Sequence, residues 1–158
     1  MKYLKTLILF AYVSMCLSGC SINYMKLSEM AVFLGGIVEK IGDSQITEDN
    51  DLIGQRDLKD DTYCGRYVAD CNSKTGRDVI FGGASIHERD LLCHGSIQAE
   101  AGEANIRIRL NDEVIILQTD ETGTFETELN MKSGGNYIMI DYSDFSGSTA
   151  LFCEYSEE

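Results

Sequence analysis

The sequence Asn105-Ile106-Arg107-Ile108-Arg109-Leu110-Asn111-Asp112 contains the pattern from which the fold can be predicted. Apolar and polar side chains alternate through its first six residues, as they do in a β-strand that has one buried face and one exposed face. The dipeptide Asn111-Asp112 is followed by a second apolar run from Val114, and such a dipeptide between two strands is typical of a tight hairpin. This stretch therefore predicts two antiparallel strands joined by a short turn.

The same alternation recurs through most of the sequence from Tyr63 to Tyr155, and glycine-containing turn sequences separate the apolar runs. It predicts about eight strands, which are Tyr63–Cys71, Val79–Phe81, Leu91–Ala99, Asn105–Leu110, Val114–Thr119, Thr124–Leu129, Tyr137–Tyr142 and Ala150–Tyr155. No helix-length segment interrupts them. Many short strands at regular spacing predict an all-β fold, an antiparallel β-sandwich that is jelly-roll-like.

The apolar face of each predicted strand should form the core, because burying a large apolar side chain stabilises a fold by ~1.5 to 3 kcal/mol. The residues predicted to point inward are Tyr67, Val79, Phe81, Ile97, Ile106, Ile108, Ile115, Leu117, Phe125, Leu129, Ile138, Ile140, Leu151 and Cys153.

The first residues of the chain have the layout of a secretory signal. Lys2 and Lys5 are followed by an apolar run that ends near Leu17, and this run is shorter than the ~20 residues that a membrane span needs. The tetrapeptide Leu17-Ser18-Gly19-Cys20 resembles the lipobox of bacterial lipoproteins. The alternatives are an ordinary cleaved signal and an uncleaved anchor helix.

This resemblance implies that residues 1–19 are a lipoprotein signal peptide and that Cys20 carries the lipid, with palmitate among its acyl chains. Two acyl chains would give stable attachment, which one chain does not. The expected location is the cell envelope, with the protein anchored to the membrane on its extracytoplasmic side. The chain also resembles small bacterial lipoproteins that carry a β-sandwich domain.

Residues 20–62 are predicted to connect the lipid to the sandwich, and residues 63–158 to form the sandwich domain. Apolar residues between Leu27 and Ile41 recur at helical spacing, which predicts a short amphipathic helix. The acidic stretch Asp43–Asp61 is predicted to be a linker. Part of it imitates a calcium-binding loop, but Ile53 stands where an oxygen donor is needed, so we predict no metal site.

Four cysteines fall in the predicted sandwich: Cys64, Cys71, Cys93 and Cys153. An even number in an exported protein suggests disulfides, with three possible connectivities. Strand alternation places Cys93 and Cys153 on inward faces, so we predict a disulfide between them. Buried free thiols are the alternative.

The chain is strongly acidic. Its formal net charge is −13, and loss of the two leader lysines would make it −15. Such a charge repels nucleic acid and anionic lipid headgroups. We therefore predict no nucleic-acid partner and a membrane association that depends on the lipid.

The sequence contains none of the common catalytic motifs, and it predicts no cofactor. Ser85, His87 and Asp90 supply the residue types of a catalytic triad, but a polar loop is the simpler interpretation. We therefore predict a non-catalytic binding module for a glycan or an envelope protein, with the candidate binding residues Tyr142, Phe145, Tyr155, His87 and Asp90. A structural lipoprotein without a ligand and a cryptic hydrolase are alternatives, and the aromatic residues could instead close the ends of the sandwich.

Overall fold

The structure is a computed structural model that describes residues 45–156. Its strands are β1 (Gln55–Leu58), β2 (Gly65–Ser85), β3 (Arg89–Leu110), β4 (Glu113–Leu117), β5 (Thr124–Met131) and β6 (Gly134–Tyr155). All strand pairs are antiparallel, which confirms the predicted all-β class. The signal peptide, Cys20 and the predicted amphipathic helix lie outside the described residues. Within residues 45–156, no helix is long and apolar enough to cross a membrane.

The three longest strands, β2, β6 and β3, lie side by side in the order β1-β2-β6-β3-β4, and β5 also pairs with β3. Each continues through a segment that the sequence predicted to be a turn between two strands. Bulges interrupt the pairing at Cys71–Gly76 in β2 and at Ala99–Glu103 in β3, and these positions face each other across β6. Gly102 has φ 68° and Gly147 has φ 136°, conformations that favour glycine. The three strands therefore bend together.

The bend divides the strands into two sheets. The first sheet contains β1, the N-terminal half of β2, the C-terminal half of β6, the N-terminal half of β3, and β5. The second sheet contains the other halves of β2, β6 and β3, together with β4. The eight predicted strands thus occur in the order 1-8-3-6 in one sheet and 2-7-4-5 in the other. This is the order of a jelly roll, and it confirms the predicted architecture.

One hydrophobic core lies between the two sheets. Its largest fully buried side chains include Tyr67, Leu91, Leu151, Phe81, Ile108 and Ile138. Most residues predicted to point inward do so, with Ile97, Ile115, Leu117 and Phe125 at the margins of the core. The prediction for Val79 is wrong, because a bulge between Val79 and Phe81 puts Ile80 in the core instead.

A buried carboxylate joins the two sheets from within. Asp78 of the second sheet is 1% exposed, and it accepts a hydrogen bond from the Tyr67 hydroxyl of the first sheet at 2.5 Å. The backbone nitrogens of Ile53 and Gly54 also donate to it, at 2.9 and 3.2 Å. Burial, together with the hydrogen bond to Asp78, raises the pKa of Tyr67 far above its ordinary value, so that its hydroxyl remains a donor.

The predicted boundary of the domain at Tyr63 needs correction. The strand β1 lies inside the segment that was predicted to be a linker. Earlier still, the Thr47 nitrogen donates to the Val79 carbonyl at 3.0 Å, and the Val79 nitrogen donates to the Thr47 hydroxyl at 2.8 Å. The folded domain therefore extends at least to Thr47.

Candidate functional site

A row of four side chains crosses the outer face of the first sheet. Arg66 on β2 pairs with Phe152 on β6, Phe152 pairs with His94 on β3, and His94 pairs with Glu126 on β5. The chain neighbours of these residues, such as Tyr67 and Cys93, point into the core. Because side chains alternate along a strand, the row must face outward.

Three members of this row are planar groups stacked on one another, and we call them the ring row: Arg66, Phe152 and His94. The His94 and Phe152 rings are nearly parallel, with centroids 5.2 Å apart and an interplanar angle of 9°. The Arg66 guanidinium carbon lies 5.5 Å from the Phe152 centroid. Ring pairs and exposed cation–π pairs each contribute about 0.5 to 1.5 kcal/mol, so the row is a preformed feature of the surface.

A disulfide holds β3 and β6, the strands that carry His94 and Phe152, in register. Cys93 and Cys153 form this disulfide on the inner face, with a Cα–Cα distance of 4.4 Å, as the sequence predicted. They are the chain neighbours of His94 and Phe152. The disulfide spans a sequence separation of 60 residues, and closing a loop of that length stabilises the folded state by about 4 kcal/mol.

The other two cysteines of the domain are buried free thiols. Burial raises the pKa of Cys64 to about 11, and it also raises the pKa of Cys71. Thiols in this state are poor nucleophiles, because the thiolate is the reactive form.

Open depressions lie on both sides of the ring row. One, of about 660 Å³, is lined by His94, Phe152, Ser96, Gln118 and Glu126 among others. The other, of about 410 Å³, is lined by Arg66, His94, Phe152, Lys59 and Glu154 among others. The two depressions share His94 and Phe152, so they adjoin at these rings, and we call the two together the groove.

The floor of the larger depression requires a glycine. Gly95 pairs with Phe125 on one side and with Leu151 on the other. A Cβ atom at Gly95 would collide with the Ala150 carbonyl oxygen and with the Phe125 ring. The absence of a side chain at Gly95 therefore leaves room for the Phe125 ring against the inner side of the sheet.

The loop between β4 and β5 forms one wall of the larger depression, and Asp120 fixes its shape. Its carboxylate accepts hydrogen bonds from the backbone nitrogens of Thr122 and Thr124, both at 2.9 Å. It also accepts from their hydroxyls, at 2.7 and 2.8 Å. These bonds lower the pKa of Asp120 to about 2. The loop thus keeps its conformation without a ligand.

The outer face of the first sheet is acidic. Within the strands of this sheet, one guanidinium, that of Arg66, points outward together with the carboxylates of Asp57, Asp70, Asp90, Glu126, Glu128 and Glu154. In the part of the chain that the structure describes, no group of three or more His, Cys, Asp or Glu residues is arranged to hold a metal ion.

The structure corrects the sequence-based choice of Tyr142 and Phe145 as stacking residues. Tyr142 is 3% exposed and Phe145 is 0% exposed, and their rings pack against each other in the core with centroids 5.6 Å apart. Each side chain points inward because it lies at the bend of β6, where the two sheets close on each other. Neither ring can stack on a ligand from solution.

The other sequence-based candidates lie at one end of the first sheet, outside the ring row. The Tyr155 hydroxyl is hydrogen-bonded to Asp61 and Arg89. Asp90 accepts a hydrogen bond from Asn130 at 2.7 Å. These contacts hold the end of the sandwich together.

His87 does not form a catalytic pair with Ser85. The Ser85 hydroxyl bonds the backbone nitrogen and the carbonyl oxygen of His87, each at 3.1 Å, and the Arg89 side chain donates to it at 3.2 Å. The hydroxyl is therefore engaged by a turn rather than by the imidazole.

Comparisons with known proteins give limited information. No family model matches the chain, and no curated protein matches it. Among solved structures, one similar chain is the carbohydrate binding module CBM6cm-2 from Cellvibrio mixtus lichenase 5A in complex with cellotriose. The two chains are 9% identical with a TM-score of 0.36, over 73% of this chain and 95% of that chain.

Proposed function

We propose that the domain is a non-catalytic binding module that takes a glycan across the ring row of the first sheet. The observation that carries this proposal is the groove over the stacked rings of His94 and Phe152, which has hydrogen-bonding side chains along both sides. We further propose that Cys20 is lipidated and that the module works at a membrane surface, outside the cytoplasm.

The groove suits the two kinds of surface that a sugar ring presents. The C–H groups of a sugar are apolar and pack against the half-buried rings. Its hydroxyl groups both donate and accept hydrogen bonds. Glu126 and Glu154 supply acceptors, and Arg66 supplies donors. The open depressions on both sides of the rings leave room for an extended chain rather than for a small enclosed ligand.

The charge of the face narrows the class of glycan. Six outward carboxylates on the strands of this sheet would repel uronic acids and phosphorylated sugars. The same carboxylates favour neutral sugars, through hydrogen bonds, and amino sugars, through charge. The proposed ligand is therefore a neutral or amino-bearing oligosaccharide.

The test is isothermal titration of the domain with tetrasaccharides of glucose, N-acetylglucosamine, glucosamine and galacturonate. We expect binding to at least one of the first three and none to galacturonate. The chain contains two histidines, which provide a matched pair of variants. His94→Ala should weaken binding at least tenfold, which is ~1.4 kcal/mol, because it removes a ring from the groove.

His87→Ala is the matched control, and it should leave the affinity unchanged because His87 lies outside both depressions. Equal losses in the two variants would contradict the assignment of the ring row. Absence of binding to glucose, N-acetylglucosamine and glucosamine oligosaccharides alike would contradict the proposed function.

A further inference from the structure

Two large side chains on the outer face of the second sheet are buried. On β6, Ile138 and Ile140 point into the core, so the alternating residues Tyr137 and Met139 point outward. Tyr137 is nevertheless 3% exposed and Met139 is 7% exposed, and neither belongs to the cluster of side chains between the two sheets. Something on the outer side of this sheet must therefore exclude water from them.

The neighbours of Tyr137 in the sheet do not explain its burial. Gly82 on β2 pairs with it, and Gly135 precedes it by two residues on β6, so two adjacent positions lack a side chain. The Arg109 guanidinium carbon lies 4.9 Å from the centroid of the ring, but Arg109 is itself exposed. A bare sheet would therefore leave the β2 side of this ring open to solvent.

The exposure across this face gives the width of what covers it. On the edge strand β4, Val114 is 48% exposed and Ile116 is 38% exposed, although they lie in the same rows as Tyr137 and Met139. β4 is two strands from β6, which is about 10 Å at the usual spacing. A helix is about 10 to 12 Å across with its side chains, so one helix centred between β2 and β6 would cover the buried residues and leave β4 exposed.

The covering segment belongs to the same chain, because Tyr137 and Met139 are buried in a single copy. Within residues 45–156, all six strands belong to the two sheets, so no strand lies over this face. At the C-terminal end, Ser156 is hydrogen-bonded to Asp90 in the first sheet, and only two residues follow it. The segment that precedes Gln45 remains.

This preceding segment has the composition that the buried patch requires. Within residues 32–41, four apolar side chains recur at the i, i+3, i+4 and i+7 spacing of one helix face, and we call them the apolar stripe: Leu34, Ile37, Val38 and Ile41. Gly35 and Gly36 lower the intrinsic stability of such a helix, so it needs a surface on which to pack.

The connection to the domain is long enough for this placement. Thr47 is hydrogen-bonded to Val79 at the β2 edge, and its carbonyl oxygen also accepts from Arg56 Nη2 at 2.9 Å. Val79 pairs with Met139 on the next strand. The chain from Ile41 to Thr47 spans up to about 20 Å, at ~3.3 Å per residue. Reach permits the placement, and the burial on β6 selects the face.

We infer that residues 32–41 form a helix that packs on the outer face of the second sheet, with its apolar stripe against Tyr137 and Met139. The domain then has three layers and begins before Gln45. The helix and the glycan groove lie on opposite sides of the core, so the helix leaves the groove open.

The test is oxidation by hydrogen peroxide of the chain from residue 20 to residue 158, with Cys20→Ser, followed by mass spectrometry. Met131 is 0% exposed in the core and serves as the internal reference for unfolding. Met139 should react nearly as slowly as Met131. Leu34→Asp with Val38→Asp should raise the oxidation rate of Met139 at least tenfold, because it places two charges in the apolar stripe, while Met131 stays protected.

The matched control is Val32→Asp with Gly36→Asp, which introduces the same charges at the same spacing on the other side of the helix. It should leave Met139 protected. Oxidation of Met139 in the parent chain at the rate of a free methionine peptide would overturn the inference. So would an unchanged rate in the stripe variant.

A second measurement does not depend on the stability of the stripe variant, and it decides the case in which both methionines are oxidised. A benzophenone amino acid in place of Ile37 should crosslink, on irradiation, to peptides that contain Val79 or Met139. The same group in place of Val32 should not. Absence of these crosslinks from position 37, or crosslinks between two copies instead, would contradict the packing of this segment on its own domain.

Discussion

The two outer faces of this sandwich share one core but differ in almost every property of their side chains. The face of the first sheet is acidic and carries the stacked rings of Phe152 and His94. The face of the second sheet carries arginines together with carboxylates, and it exposes the side chains of Val114 and Ile116. A formal net charge of −13 describes neither face.

This difference shows how a jelly roll can separate two surface roles. Inward residues in both sheets are constrained by packing, whereas outward residues are free to vary because surface substitutions change stability by only about 0.5 kcal/mol. β2, β3 and β6 each pass through both sheets, so one strand contributes to both faces. The bend lets a single strand place Arg66 on one face and Arg77 on the other.

The largest expected effect comes from removing the crosslink that lies beneath the first face alone. Replacing both Cys93 and Cys153 with Ala should lower the free energy of unfolding by about 4 kcal/mol, measured by urea denaturation. At temperatures where the variant stays folded, glycan affinity should fall, because the register between His94 and Phe152 is no longer fixed. An unchanged glycan affinity would show that the disulfide does not position the ring row.

A somewhat smaller effect is expected from the buried carboxylate that joins the sheets. Asp78→Ala leaves the Tyr67 hydroxyl and the backbone nitrogens of Ile53 and Gly54 without this acceptor. We expect a loss of about 3 kcal/mol, since each unsatisfied buried group costs ~1 to 3 kcal/mol. Thermal denaturation measures it. The control is Asp70→Ala on the same strand, where the side chain is exposed and the expected change is within ~0.5 kcal/mol.

A third variant reverses part of the negative charge of the first face. Glu126→Lys with Glu128→Lys should raise the affinity for a galacturonate tetrasaccharide at least tenfold, because repulsion of the sugar carboxylates is replaced by attraction. Stability should be unchanged, since both side chains are exposed. Asp144→Lys with Glu113→Lys changes the charge equally at positions outside the groove and should not produce this binding. If it does, net charge rather than the groove selects the ligand.

The smallest effect is expected at the wall of the groove. Asp120→Ala removes the acceptor for Thr122 and Thr124 and should weaken glycan binding severalfold, measured by titration calorimetry. The neighbouring Glu121→Ala is the control and should bind normally.

The same loop should show a defined pH dependence. The pKa of Asp120 in the folded protein is about 2, below its ordinary value of 3.8. The ionised carboxylate therefore stabilises the folded loop above about pH 4, and this stabilisation disappears as the pH falls through 2. A carboxyl chemical shift that titrates near 4 would contradict this.

The fold was largely predictable, because alternation is a local property of the sequence. The period of two identified the eight segments that make up the jelly roll, and the inward positions of Cys93 and Cys153 identified the disulfide. Turn sequences were less informative. Segments such as Ala101-Gly102 bend a continuous strand rather than end it, and a glycine with positive φ is compatible with either outcome.

The site could not be predicted, because it depends on which strands are neighbours. Phe152, His94 and Arg66 come from three strands that are far apart in the sequence and adjacent in the sheet. The one available signal was that Phe152, next to inward Cys153, had to point outward. Tyr142 looked like an equally good surface aromatic, and only the bend of β6 explains its burial. β1 was missed because its contacts, such as the hydrogen bond from Arg56 to the Ile80 carbonyl oxygen, join parts of the chain that are far apart in the sequence.

The most direct test of the central claim is an NMR titration of the ¹⁵N-labelled domain with glucose, N-acetylglucosamine and glucosamine tetrasaccharides. The account predicts that the largest amide shift changes cluster at Arg66, His94, Glu126 and Phe152, with none in β4. Changes centred on Tyr155, His87 and Asp90, or no changes with any of the three sugars, would contradict it.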